Sequence, residues 1–134
     1  NSNFSNKLSA RITFDSAFAQ QIYAACDIFL MPSLYEPSGI GQMLAMRYGA
    51  IPIVRETGGL KDTVTPYNKY TGEGNGFSFA NYNAHEMFFT LQKAIRLYQD
   101  KKVWNNLIIN AMNTDNSWKK SAQDYIRIFN GLIS

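Results

Sequence analysis

Residues 32–42, Pro-Ser-Leu-Tyr-Glu-Pro-Ser-Gly-Ile-Gly-Gln, carry the strongest chemical signal in the chain. They follow a short apolar run and precede a helical stretch. That places them at the carboxyl edge of a parallel sheet, where ligands of open α/β folds bind. Gly39 and Gly41 let backbone approach a ligand with no side chain in the way. Unpaired N–H groups at the start of the following helix favour an anion such as phosphate. The effect is roughly 0.3–1 kcal/mol when exposed and nearer 2 when partly buried. Glu36 would stand beside that anion and accept hydrogen bonds from sugar hydroxyls. The plainer alternative is a solvated glutamate in a loop with two turn glycines, and spacing leaves both readings open.

Thr57-Gly58-Gly59 is a second loop, directly after another apolar run. Two such loops side by side could wall one cleft, whereas taken alone this one reads as a strand-to-helix turn. Arg55 could offer a cation to a phosphate or be a strand-end charge in solvent. Other catalytic patterns fail. Gly39-Ile40-Gly41 starts a dinucleotide fingerprint, but Leu44 stands where its third glycine belongs. Gly72, Gly74 and Gly76 precede a strand, and no Lys-Ser/Thr pair follows a glycine loop, so nicotinamide and P-loop chemistry are both disfavoured. His85 is the single histidine and reads as surface, so neither a zinc site nor a Ser-His-Asp or Cys-His arrangement can be assembled. Cys26 reads as a small buried thiol, Trp104 as core packing, and Trp118 as core or a contact to a missing neighbour.

The elements that must position these loops alternate. A β-rich run at residues 10–14 is followed by a helix from an N-cap at Ser16 through Cys26. Residues 28–31 are a continuous apolar run stopped by Pro32, as expected of a strand buried on both faces. A helix over 41–48 ends at Gly49, residues 51–54 form a second buried strand, residues 60–63 are helical, and 77–79 form a third strand. Asn83 and Glu86 make a capping box for a helix reaching Tyr98. Two more amphipathic helices carry Val103, Trp104, Leu107, Ile108, Ala111 and Met112, then Ala122, Tyr125, Ile126, Phe129, Leu132 and Ile133. Residues 65–76, with Pro66 and three glycines, read as a mobile surface loop. The class is α/β with a parallel sheet and crossover helices. Three or four strands are few for a doubly wound domain, which leaves a small sheet or the trailing part of a larger one.

Composition bounds the rest. The 134 residues are 46% hydrophobic and 17% charged, which excludes intrinsic disorder and supports one core. No apolar run is long enough to cross a bilayer, and no secretion signal opens the chain. One cysteine forms no intrachain disulfide, which fits a reducing compartment. The net charge of +3 is mild and its basic residues are scattered, unlike the one-sided footprint of a nucleic-acid binder.

Residues 27–42, then 46–64 (Met-Arg-Tyr-Gly-Ala-Ile-Pro-Ile-Val-Arg-Glu-Thr-Gly-Gly-Leu-Lys-Asp-Thr-Val), resemble bacterial glycogen synthases and plant starch synthases. Residues 75–79 and Ser117-Trp118 also match, and the resemblance runs from about Ile12 to Leu132, most like the bacterial enzymes. It implies a Rossmann-like parallel sheet with flanking helices, the C-terminal part of the nucleotide-sugar domain of a two-domain, GT-B type glycosyltransferase. It further implies retaining transfer of glucose from ADP-glucose to the non-reducing end of an α-1,4-glucan such as glycogen. No metal ion or other cofactor, no nucleic acid and no membrane are implied, and the location implied is cytoplasmic.

By the same resemblance Glu36 matches the glutamate that contacts the donor glucose and supports catalysis. Ser38, Gly39, Ile40 and Gly41 match the loop whose amides hold the diphosphate and sugar. Phe14 falls near an aromatic that packs on the base, and Thr57, Gly58 and Gly59 match a second loop of the cleft. Three positions bear on how this chain compares with the family. Position 38 is usually cysteine, and position 41 is usually threonine or serine, so Gly41 lacks a hydroxyl that could bond phosphate. Leu44 stands where related transferases place a second glutamate, as is usual in these synthases. The family's phosphate-binding arginine and lysine lie upstream of this chain. The expectation is therefore an incomplete donor domain over 1–134, inactive alone. Its helical segment 84–134 would pack on the sheet and toward an N-terminal domain absent here. The runner-up readings are a related transferase using UDP-glucose or another nucleotide sugar, and a non-catalytic nucleotide-sugar-binding module.

Overall fold

The computed structural model describes residues 6–133 together with Phe4. Three short apolar runs pair into a parallel sheet: β1 (Ile28–Met31), β2 (Ile51–Arg55) and β3 (Phe77–Phe79). The strand order is β1-β2-β3, with Ile28 beside Ile51 and Ile53 beside Phe77. Because neighbouring strands run the same way, the segments that follow β1 and β2 must emerge side by side at one edge. β2, with a partner on each side, is buried along its length apart from Arg55. β1 is half-buried and Leu30 is exposed, contrary to the expectation of burial on both faces, because β1 lies at the sheet's edge.

Side-chain alternation along β2 divides the core in two. Ile51 and Ile53 pack with Met46, Phe77, Ala94, Trp104, Leu107 and Ala111. Val54 faces Leu60, Val64 and Met31. The larger cluster draws on α2 (Gly41–Arg47), α4 (Ala84–Tyr98) and α5 (Lys101–Met112), and the smaller on α3 (Gly58–Thr63). Burying a side chain such as Ile53 or Leu107 contributes roughly 1.5–3 kcal/mol. Two helices stand apart from this core. α1 (Ser16–Ala25) and α6 (Trp118–Leu132) contain no buried residue, and α6 leaves Trp118, Tyr125, Phe129 and Leu132 exposed.

Several local expectations need correction. Residues 10–14 form no strand and are exposed throughout, since none of them pairs with another strand. The N-cap of α1 is Asp15 rather than Ser16, its carboxylate accepting from the Phe18 N–H at 3.0 Å. Asn83 caps α4 as expected, but Glu86 closes only half of the capping box. Its carboxylate accepts from the backbone and side-chain amides of Asn81, which hold that carboxyl below its ordinary range. Residues 65–76 are pinned rather than loose. Pro66 bridges to Gly76 in parallel fashion, and Tyr67 and Asn75 are buried. Asn106 and Asn110 of α5 donate to the Gly72 carbonyl at 2.9 and 2.8 Å, and Asn110 also donates to Gly74.

Candidate functional site

The segment after β1 and the segment after β2 interlock through backbone. The Gly59 N–H donates to the Pro37 carbonyl at 3.1 Å. A Cβ placed on Gly58 would meet the Glu36 carbonyl oxygen at 2.1 Å, and one on Gly59 would meet the Ser38 carbonyl oxygen at 1.9 Å. Gly58 also sits at φ +43°, which L side chains rarely adopt. Only a pair of glycines lets the two segments approach this closely. The two loops expected side by side are therefore in contact, and Glu36, Ser38, Gly39, Ile40, Gly41, Thr57, Gly58 and Gly59 all lie along these two segments. Phe14 does not join them: it is 97% exposed in the irregular stretch before α1.

Carbonyl direction decides what the loop offers. The carbonyls of Pro37, Ser38 and Gly39 turn inward, to the Gly59 N–H and to the side-chain amide of Gln42. A trans peptide points its N–H opposite to its C=O. The N–H groups of Ser38, Gly39 and Ile40 therefore turn outward in succession. None of the three has a protein acceptor among the described residues. Successive unpaired N–H groups form a concavity for an anion. Ser38 and Ile40 are exposed while Gly39 between them is buried, and Ile40, at the N-cap of α2, makes no side-chain cap. Glu36, two residues before this concavity, is half-buried, and its carboxylate has no partner among the described residues. The arrangement can hold a diphosphate and keep a carboxylate free for the group attached to it.

Arg55 ends β2, half-buried, with its guanidinium engaged by backbone. Its Nε donates to the Ser33 carbonyl at 2.9 Å and its terminal nitrogen to the Leu34 carbonyl at 2.6 Å. The guanidinium also lies 5.7 Å from the Tyr82 ring centre. Its planar fork ties down the start of the Glu36 loop. Beside Gly41, the Tyr23 hydroxyl and the Phe29 ring occupy the approach, 3.2 and 3.4 Å from where a Cβ would stand.

Gln42, Thr63 and Asn75 were not singled out by residue type. The signal for Gln42 is a lone amide directly before the apolar stretch 43–46. That signal becomes informative once burial is known, because a fully buried amide must place its hydrogen bonds. Among the described residues no three His, Cys, Asp or Glu side chains come together as a metal site, and no helix is long and apolar enough to cross a membrane.

Known proteins resemble this chain along nearly its whole length. A glycogen synthase of Clostridioides difficile (strain 630) is 73% identical over 128 residues, covering 96% of this chain and 27% of the relative. A glycogen synthase of Clostridium beijerinckii is 62% identical over 131 residues, covering 98% of this chain and 27% of the relative. The chain thus spans about a quarter of the length of the relatives it matches. A solved structure, the catalytic domain of Starch Synthase IV from Arabidopsis thaliana bound to ADP and acarbose, superposes with a TM-score of 0.80. It is 39% identical, with 89% of this chain and 25% of that one covered. The three-stranded parallel sheet and its helices correspond to the C-terminal part of a GT-B fold. Residues 14–114 match the family model described as glycosyl transferases group 1, and the chain belongs to that family.

Proposed function

We propose that this chain is the donor-side part of a longer glycogen synthase. The intact protein transfers glucose from ADP-glucose to the non-reducing end of an α-1,4-glucan, with retention of configuration, in the cytoplasm. The observation that carries the reading is the outward-turned N–H series of Ser38, Gly39 and Ile40 beside the unpartnered Glu36. Support comes from the two clostridial relatives and from the starch synthase described with ADP bound.

In this reading the amides meet the charge that grows on the departing diphosphate. Fixed dipoles aimed at developing charge need no reorganisation as the bond breaks. Gly41 and the loop at Thr57, Gly58 and Gly59 shape the sugar end of the same wall, and Phe14 packs on the base. Glu36 accepts from hydroxyls of the donor glucose and steadies the positive character that develops at its anomeric carbon. The acceptor glucan enters from an N-terminal domain across the cleft, and the exposed apolar face of α6 is where that domain seats. The 134 residues alone are then inactive.

The test follows glucose incorporation into glycogen by the full-length protein, supplied in turn with ADP-glucose and UDP-glucose. Transfer from ADP-glucose is expected, with little from UDP-glucose. Transfer from UDP-glucose alone would overturn the donor, and transfer from neither would leave a nucleotide-sugar-binding module.

A further inference from the structure

We infer that Gln42 and Thr63 are the positioning residues that aim the donor-site amides. The inference rests on the donor site proposed above and deepens it. Gln42 is fully buried beneath the loop. The two N–H groups of its Nε2 are shared among three acceptors, the Gly39 carbonyl at 2.9 Å, the Thr63 hydroxyl at 3.0 Å and, most distantly, the Ser38 carbonyl at 3.3 Å. Its Oε1 has no partner. A buried acceptor left unmet is unfavourable, and an apolar side chain of the same length would fill this space without that cost. The gain from an amide at position 42 is therefore its donation, and two of the three acceptors are the carbonyls that define the loop.

Those carbonyls need holding. Gly39 lies at φ +70°, and glycine adopts positive and negative φ about equally well. The peptides on either side of it are thus free to flip unless something outside the loop fixes them. A flip would replace an outward N–H with a carbonyl oxygen and repel a diphosphate. Gln42 prevents this for both peptides at once.

Thr63 extends the hold to the second loop. Its hydroxyl accepts from Gln42 and donates to the Gly59 carbonyl at 2.6 Å. Its own carbonyl accepts from the buried Asn75 side chain at 3.1 Å, which also donates to the Thr114 hydroxyl at 3.1 Å and accepts from the Thr65 N–H at 2.7 Å. Residues 65–76 and the end of α5 therefore anchor Thr63, and Thr63 anchors Gln42. One pair of side chains thus links the two loops from below.

The experiment uses the full-length protein with Gln42→Met, Thr63→Val and Thr63→Ser, titrated with ADP and with UDP by calorimetry and assayed for transfer. Loss of one or two neutral hydrogen bonds predicts roughly five- to tenfold weaker binding of whichever nucleotide the wild type takes, in both Gln42→Met and Thr63→Val. The KM for the donor should rise alongside while the KM for glucan stays put. Thr63→Ser, which keeps the hydroxyl, should return to wild-type values. Unchanged nucleotide binding in Gln42→Met and Thr63→Val would overturn the inference, as would a Thr63→Ser protein no better than Thr63→Val. A parallel rise in both KM values would also overturn it, because that marks general damage. Should Gln42→Met fail to fold, the two Thr63 variants decide alone. A wild-type protein that binds neither nucleotide removes the donor-site reading itself, and the inference falls with it.

Discussion

Gly59→Ala is expected to lower both the unfolding midpoint of the full-length protein and its affinity for ADP. The added methyl would stand 1.9 Å from the Ser38 carbonyl oxygen, 2.5 Å from its carbon and 2.6 Å from its Cα. All three atoms are backbone, so no side chain can swing aside. Either α3 moves outward and breaks the Gly59–Pro37 hydrogen bond, or the loop is pushed off its Gln42 anchor. Overpacking of this kind costs about 1–3 kcal/mol, and the same shift turns the outward amides away. Gly41→Ala is the internal comparison. Its methyl would meet only the end of Tyr23 at 3.2 Å and the edge of the Phe29 ring at 3.4 Å, side-chain atoms rather than backbone and at longer range. Thermal melts of the two variants beside wild type should separate clearly, with Gly41→Ala near wild type. Equal melts and equal ADP titrations would show that the two loops do not interlock.

Glu36→Gln should leave the fold and ADP binding nearly intact while transfer collapses. The side chain makes no hydrogen bond or ion pair among the described residues, so its removal costs the framework little. Its charge matters once a donor sugar lies against the amides. Removing one preorganised electrostatic contact at a reacting centre typically costs about 10²–10³ in rate, so a fall of about that size in kcat is expected. Steady-state assays of glucose incorporation read this directly. A Glu36→Gln protein with undiminished kcat would remove Glu36 from the chemistry, and a protein that never catalysed would lose nothing.

How much of this was legible in the sequence depended on how local the cause was. The three strands are runs of apolar residues, and residues 28–31, 51–54 and 77–79 report themselves without reference to anything distant. The pairing of the Glu36 loop with Thr57-Gly58-Gly59 was also readable, because parallel neighbouring strands put their following loops side by side. Residues 10–14 misled because their local pattern is β-rich, and a strand exists only if another pairs with it. The glycines of residues 65–76 announced a loop correctly, yet what holds that loop is Asn106 and Asn110, more than thirty residues further on. Arg55 shows the same limit. Residue type offered a phosphate cation, while its true acceptors, the carbonyls of Ser33 and Leu34, carry no side-chain signature. Gln42 escaped for a related reason, since an amide at a helix start reads as surface until its burial is known.

The most direct measurement is a crystal structure of the full-length protein with ADP bound. The diphosphate oxygens are expected within hydrogen-bond reach of the Ser38, Gly39 and Ile40 N–H groups, with the Gln42 side chain still beneath the loop and the Glu36 carboxylate facing the open end of the β-phosphate. ADP seated elsewhere, or at this loop with the 38–39 and 39–40 peptides flipped, would contradict the account.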